Sequence, residues 1–564
     1  MSRYQQSRFA RRRFLGGAAA SAATLGLASL GVSCGGDDDD GAGKNANQES
    51  LPAAPTPKSV AKPGGTAHLI YSGTGLLHLD LHRTIAPLLT QVASLTTNRL
   101  LRHKTDPSVK PTEYEIVPDL AEKWEQPDDL TISLKLRPNV KWQNLDPVNG
   151  RLLTANDVIR SFDRQRTNKP EFIHRYLFDW IDSITAPDPT TLVIKAKQPT
   201  FRGLGTLALR ELPILSADAA EKFGNLEKPE AWAGVGPYIL KEFKAGVGFK
   251  FERNPDYWEG GGLPYIDAIE LQDIPDASAQ LSAFLAGSID QIEAVEPELV
   301  STIKSGRPDA RVYSFSAVGG NHFAWTVKGD SPFKDPRVRK AWSLITDRAA
   351  MIDSLAGGKP ETRVSPVSPG FTTYARSQAD IKADAVFNLT EAKALLDAAG
   401  LGGGFKTVLQ GRAGVASINS WVEWAVQQGK KAGIEIVPET AESAVYLGAQ
   451  TSHNFKYGQL YSIRAYDDPD EYLYPLFYTG ASKNYFETSD AELDRLILKQ
   501  RGTLKLEERK AVLQEIDRRW TTDFNYHTFG YTLFRNDAIA NRLQNHQVRV
   551  VTEYSQLRYA WIDD

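Results

Sequence analysis

The chain has 564 residues, too many for one compact core, and its length points to two to four domains. Its 66 Lys and Arg stand against 69 Asp and Glu, a balance that argues against a dedicated nucleic-acid binder, which needs clustered positive charge to neutralise phosphates. With 41% hydrophobic and 10% aromatic residues, the body has the composition of an ordinary soluble globular protein.

The first sixty residues are a different material. Arg3, Arg8, Arg11, Arg12 and Arg13 precede an uncharged, Ala- and Gly-rich run from Phe14 to Val32. A basic stretch followed by a short apolar one is the pattern of an export signal. Arg11-Arg12-Arg13-Phe14-Leu15 resembles the twin-arginine export motif, with an Arg-rich Sec signal as the alternative. The single cysteine, Cys34, ends the apolar run, and Gly31-Val32-Ser33-Cys34 resembles a bacterial lipobox in which the thiol is acylated. Gly31 departs from the usual Leu at its position. With one cysteine, no disulfide forms within the chain. Two or three acyl chains would anchor the protein stably where one is marginal. Residues 35–63, with four consecutive Asp and then Ala, Pro, Ser and Asn, read as a flexible tether.

Ordered structure is expected from about Gly65. Thr66 to Tyr71 reads as a strand, ended by a turn at Ser72-Gly73-Thr74-Gly75. Thr131 to Leu136 alternates polar and apolar, a half-buried strand. A helix is predicted over Thr154 to Arg164, with Thr154 and Asp157 forming a capping pair. Further helices are predicted at Asp276–286, ended by Gly287, at 390–399, capped by Thr390 and stopped by Gly400, and at 489–499 and 506–520. No internal repeat is visible. The mixture reads as α/β with several sheets in two large lobes.

Several segments then occur in a familiar order. They are Leu79-Asp80-Leu81-His82, Val117-Pro118-Asp119-Leu120-Ala121 through Trp124, Leu136-Arg137-Pro138-Asn139-Val140-Lys141-Trp142, and Leu153-Thr154-Ala155-Asn156-Asp157-Val158. Gly234-Val235-Gly236-Pro237-Tyr238, Asn254-Pro255-Asp256-Tyr257-Trp258, Ala286-Gly287-Ser288-Ile289-Asp290 and Pro332-Phe333-Lys334-Asp335-Pro336-Arg337-Val338-Arg339 complete the set. Each is weak alone. Together, along residues 64–564, they resemble the family 5 extracellular solute-binding proteins, the oligopeptide, dipeptide and nickel binders of ABC transporters. Taken by themselves, most of these motifs serve turns and cores: Gly236-Pro237-Tyr238 a turn into a strand, Asn254-Pro255 a turn, Tyr257 and Trp258 packing aromatics, and Arg337, Arg339 and Asp347 ion pairs within a lobe.

The resemblance implies a two-lobe, periplasmic-binding-protein-like fold of type II with an extra subdomain and a hinge of two crossings. Lobe I would cover 64–317, with an inserted subdomain at about 90–190, and 530–564; lobe II would cover 318–529. It also implies an extracytoplasmic protein, expected to be a monomer, which acylation at Cys34 would hold to a membrane. Such a protein closes on a peptide or other small polar solute and delivers it to ABC permease subunits. No cofactor, nucleic-acid partner or enzymatic activity is expected.

Peptide-binding relatives anchor the ligand's ammonium with an Asp in a segment resembling Trp-x-x-Asp-x-x-Asp-Pro. Aligned on Asp468-Pro469, this chain has Ser462 and Ala465 at the Trp and anchor positions. Asp467 would share a face with Ala465 about 7 Å along a strand. Arg464 would favour a carboxylate, phosphate or sugar hydroxyls, or pair with Asp467 or Asp470. With Tyr466, and with Tyr71, Thr74 and Trp325 placed by the resemblance, these are the ligand-binding candidates: Tyr71, Thr74, Trp325, Arg464, Tyr466 and Asp467. Organic acids and oligosaccharides therefore stand beside peptides as ligand classes.

Other functions find less support. Nine His are scattered, and only His78 and His82 stand four apart, in a loop, so no metal site is expected. No Gly-x-Ser-x-Gly elbow, P-loop or zincin motif is present. The adjacent acids Asp467-Asp468 and Asp128-Asp129 would point to opposite faces of a strand, unlike a glycosidase dyad. A sensory binding protein and a secreted hydrolase remain the alternatives.

Overall fold

The structure is a computed structural model. It describes residues 60–563 except 72–78, 84–86, 106–108, 110–114, 168, 170, 173, 357–360, 414, 454–455, 464–467, 482, 533, 550 and 552. Arg11, Arg12, Cys34 and most of the tether therefore lie outside the described residues, as does the turn after Tyr71. Among the described residues no helix is long and apolar enough to cross a membrane.

The Thr66–Tyr71 strand forms where it was expected, with Ala67 and Leu69 fully buried. It pairs in parallel with Ala268–Asp273, which continues antiparallel to Gly248–Arg253 and then Tyr238–Lys244. Leu69, Phe249, Phe251 and Leu271 line its core. Between the first strand and the other three lies an inserted unit. There Ala121–Asp128, Thr131–Leu136, Thr191–Ala196 and Ile181–Asp188 form an antiparallel sheet in that order. Ile132, Leu134, Leu192 and Ile194 pack there with Phe162 of the Ala155–Arg166 helix. Thr154 begins that helix as expected, its backbone N–H donating to Asp157 Oδ2 at 2.8 Å.

A three-stranded sheet, Gln291–Ile292, Phe534–Ile539 and Arg311–Ser316, joins the C-terminal segment to the first half. A five-stranded sheet follows, in the order Ile434–Ala441, Phe405–Arg412, Gly458–Ile463, Gly320–Trp325, His527–Phe529. Its first three strands are parallel and the Gly320–Trp325 strand runs antiparallel to both neighbours. The helices Pro336–Ile345 and Ala416–Lys431 cover one face, closing a core of Phe323, Trp325, Trp342 and Trp421.

The recognisable motifs act as scaffold. A Cβ on Gly234 would sit 1.9 Å from the Thr96 carbonyl oxygen, and one on Gly236 would sit 2.4 Å from the Thr96 carbonyl carbon, so only glycine permits this approach. The Gly236 N–H donates to Thr96 O at 2.8 Å. Asn254 ties the next motif to this one: its Nδ2 donates to Gly236 O at 3.0 Å.

Three local expectations are corrected. The helix Leu389–Ala398 is capped by Asn388, whose side chain accepts from the Glu391 N–H, because Asn388 stands in extended backbone three residues ahead of that free amide, whereas Thr390 already lies inside the first turn. Arg339 makes no ion pair among the described residues. It donates to the carbonyls of Phe333 and Lys334 and stacks 4.3 Å over Tyr526. Asp347 accepts from the Ala350 N–H at the start of a helix. Arg337 does pair, with Asp335.

One buried pair joins the two ends of the described chain. Arg99 Nη1 lies 2.7 Å from Glu553 Oε2, both side chains 6% exposed. Truncating Arg99 to Ala strands a buried carboxylate and is expected to cost about 3–5 kcal/mol in chemical denaturation.

Candidate functional site

The chain passes from the three-stranded to the five-stranded sheet between Ser316 and Gly320, and returns between Phe529 and Phe534. Buried carbonyls in irregular backbone need donors. In the first crossing, Val318 O accepts from the Tyr472 hydroxyl at 2.8 Å and from Arg363 Nη1 at 3.3 Å. Ala317 O accepts from the hydroxyls of Thr532 and Ser368. In the second crossing, Phe529 O accepts from Arg348 Nε at 2.8 Å, and Gly530 O accepts from the Arg363 N–H at 3.1 Å.

Arg363 is 0% exposed. Its other nitrogens donate to Ser365 O and Pro366 O, and its guanidinium lies 4.6 Å from the Phe529 ring. Neither Arg363 nor Arg348 has a carboxylate at ion-pair distance among the described residues. Burial lowers both guanidinium pKa values to about 10.

Beside the crossings, two histidines meet from strands far apart in sequence. His322 and His527 are buried and stacked, ring centroids 4.9 Å apart, with Phe529 and Tyr461 against His322 and with Phe477 and Phe486 against His527. Their four ring nitrogens have no hydrogen-bond partner among the described residues. Burial holds both neutral: His527 drops to about 3, and His322 lies well below its ordinary value, with His527 and Arg363 adding to the effect.

The Gly458–Ile463 strand and the Asp470–Phe477 helix flank the segment 464–467. Asp468 is held by Arg509 in a two-pronged contact, at 2.7 and 2.8 Å. Burial raises its pKa, but Arg509 and then Arg202 outweigh it, and the carboxyl lies below its usual range. Arg509 also donates to the Tyr374 hydroxyl and Gln500 Oε1. Asp470 accepts from Gln500 and lies 3.3 Å from Arg501. Arg202, from the first half of the chain, reaches Glu471 at 3.2 Å and Asp470 at 3.7 Å. Three arginines thus face three carboxylates.

Of the sequence candidates, Thr74, Arg464, Tyr466 and Asp467 lie outside the described residues. Tyr71 ends its strand, 7% exposed, its ring 5.7 Å from Phe249. Burial and the neighbouring Asp273 raise its pKa to about 12. Trp325 is corrected as a ligand aromatic. It is 1% exposed and stacked 4.0 Å on Phe333, because strand alternation turns it into the helix-covered core with Phe323. His82, considered for metal, is buried with Nε2 3.5 Å from Pro213 O. Among the described residues no group of three or more His, Cys, Asp or Glu is placed to hold a metal. Sequence reasoning missed Arg348, Arg363 and the histidine pair. Their partners are backbone carbonyls, some local and one 181 residues away, or rings far apart in sequence, and none of these leaves a motif.

A family model for bacterial extracellular solute-binding proteins, family 5 middle, matches residues 115–484. Heme-binding protein A of Haemophilus influenzae is 25% identical over 426 residues, covering 71% of this chain and 76% of that protein. The dipeptide-binding protein of Escherichia coli is 26% identical over 413 residues, 69% of this chain and 76% of that one. The oligopeptide-binding protein AppA from Bacillus subtilis, solved with a nonapeptide, superposes with a TM-score of 0.74 over 90% of this chain and 100% of its own, at 20% identity.

Two pH effects of opposite sign follow. The folded His pair binds protons more weakly than the unfolded chain, so stability falls as pH drops below about 6.5. His527→Phe is expected to reduce the loss between pH 6.5 and 5 by about 2 kcal/mol, read as a smaller fall in Tm. Asp517 is raised to about 6 by burial, against the lowering pull of Ser365 and Arg376. Its folded state binds a proton more tightly, so its contribution is lost as pH rises from about 4 to 6. The Tm of Asp517→Asn should therefore climb relative to the parent across that window.

Proposed function

The chain belongs to the bacterial extracellular solute-binding proteins of family 5, and from that membership we propose that it is the substrate-binding component of an ABC importer. It captures a peptide or other small polar solute between its lobes and delivers it to permease subunits. The observation that carries this reading is the pair of crossings, each gripped by a buried arginine, joining two separately sheeted lobes. That connection suits a hinge on which two bodies close over a solute. The crossings support boundaries at 317/318 and 529/530, with lobe I taken as 64–317 plus 530–564 and lobe II as 318–529.

The ligand contacts we propose are Tyr71, Thr74, Arg464, Tyr466 and Asp467. The three carboxylates nearest 464–467 in sequence, Asp468, Asp470 and Glu471, each contact an arginine, so a ligand ammonium would have to compete for them. That, with Ala465 in place of the family's anchoring Asp, favours organic acids and sugars alongside peptides. Export by the Arg11-Arg12 motif and acylation of Cys34 would place the protein at the outer face of a membrane, a monomer without enzymatic activity.

A thermal-shift screen over peptides, oligosaccharides, organic acids and opines tests the reading. A true ligand at a hundredfold excess over its Kd should stabilise the fold by about 2.7 kcal/mol. A full panel without any shift would sink it. Arg464→Ala should weaken the ligand found; unchanged affinity removes Arg464 from the site. Growth with radiolabelled fatty acid should label the parent and leave Cys34→Ser unlabelled.

A further inference from the structure

The crossings are not the sole contact between the lobes. Arg202 begins the short Arg202–Leu207 helix, ahead of the strands that complete the first lobe. Its guanidinium is buried, with Nη2 3.2 Å from Glu471 and Nη1 3.7 Å from Asp470. The neighbouring Phe201 donates its backbone N–H to Arg501 O at 2.8 Å, and its ring lies 4.4 Å from the Arg509 guanidinium. Lys483 lies 4.4 Å from the Tyr176 ring. Each contact joins a residue before the first crossing to one between the two crossings.

The character of this seam is informative. Its ties are ion pairs, one backbone hydrogen bond and two cation–ring contacts, and Phe201 and Arg202 belong to none of the apolar cores. Separation of the lobes would return Arg202, Asp470 and Glu471 to water, so their attraction is offset by the hydration they regain. A dry apolar seam has no such compensation and would resist opening. Asp470 and Glu471 also follow the 464–467 segment by three and four residues, so whatever grips them acts close to the proposed ligand contacts.

We propose that Arg202 is a positioning residue that latches the two lobes closed. It grips Asp470 and Glu471, and so controls retention of a solute it does not touch. Its bearing on retention rests on the solute-capture reading; the latch itself is tested without any ligand.

The Phe201 amide reports the seam directly, because its acceptor lies across it. Hydrogen exchange is measured on the full chain and on Arg202→Ala, Arg202→Lys and Glu471→Gln. Removing the arginine takes the cross-seam partner from Glu471 and leaves Asp470 with Arg501 and Gln500. Exchange at Phe201 should rise about 100-fold in Arg202→Ala. The ladder amides of Thr131–Leu136 and Thr191–Ala196 should keep their rates. Arg202→Lys, which keeps the charge, should return Phe201 to within about tenfold of the parent. Equal Phe201 rates in the parent and Arg202→Ala overturn the proposal. If Arg202→Ala also loosens the ladder, Glu471→Gln decides: faster exchange at Phe201 with the ladder intact upholds the latch, and no change overturns it. A ligand screen that finds nothing would sink solute capture and leave this result standing.

Discussion

Backbone that leaves one sheet and enters another loses most of its ladder hydrogen bonds, keeping at the second crossing a single antiparallel bridge between Thr362 and Tyr531, yet the described residues of both crossings are buried. The cost of bare carbonyls is met by arginine, which carries five donors in a rigid fork and no acceptor. Arg363 spreads its donors over Val318, Ser365 and Pro366, and Arg348 serves Phe529 along with Ser343 and Thr346. Tyr472, Ser368 and Thr532 complete the set. Arg363, Ser368 and Tyr472 all lie between the two crossings in sequence. The crossing residues are thereby fastened to the five-stranded lobe, and the rest of the interlobe geometry is placed from that fixed point.

Charge at the start of the Asp470–Phe477 helix follows the same economy. Asp468, Asp470 and Glu471 are neutralised by Arg509, Arg501 and Arg202, drawn from three different helices. A cluster satisfied in this way orients the start of the Asp470–Phe477 helix and leaves recognition of a solute's charge to groups outside it. The histidine pair is the contrasting case. His322 and His527 are polar groups held neutral in an aromatic nest, and their stability contribution is lost in acid. The seam opens by rehydrating charges, whereas the nest can take a proton only by disrupting its packing.

Much of the fold was legible in the chain. The Thr131–Leu136 strand was readable from alternation, the Thr66–Tyr71 strand from a strand-forming run ended by a turn, and the Thr154–Asp157 pair marked its helix, because those signals are local. The glycines at 234 and 236 could be read as a turn, but their need for close passage over Thr96 could not, since Thr96 lies over a hundred residues away. The Asn388 cap was missed by two residues because Thr390 is also a capping type, and the choice depends on which residue the fold places just ahead of the free amides.

The site divides along the same line. Sequence order and spacing identified the family and the two-lobe plan, because a chain of turn and core motifs constrains topology wherever each motif recurs in order. Tertiary structure decided the roles of individual side chains. It sent Trp325 into a core, drew Arg339 to carbonyls instead of a carboxylate, and brought His322 to His527 and Arg202 to Glu471. Those outcomes depend on what stands opposite a residue across hundreds of positions of chain. Local periodicity carries no information about that, and only the packed fold sets it.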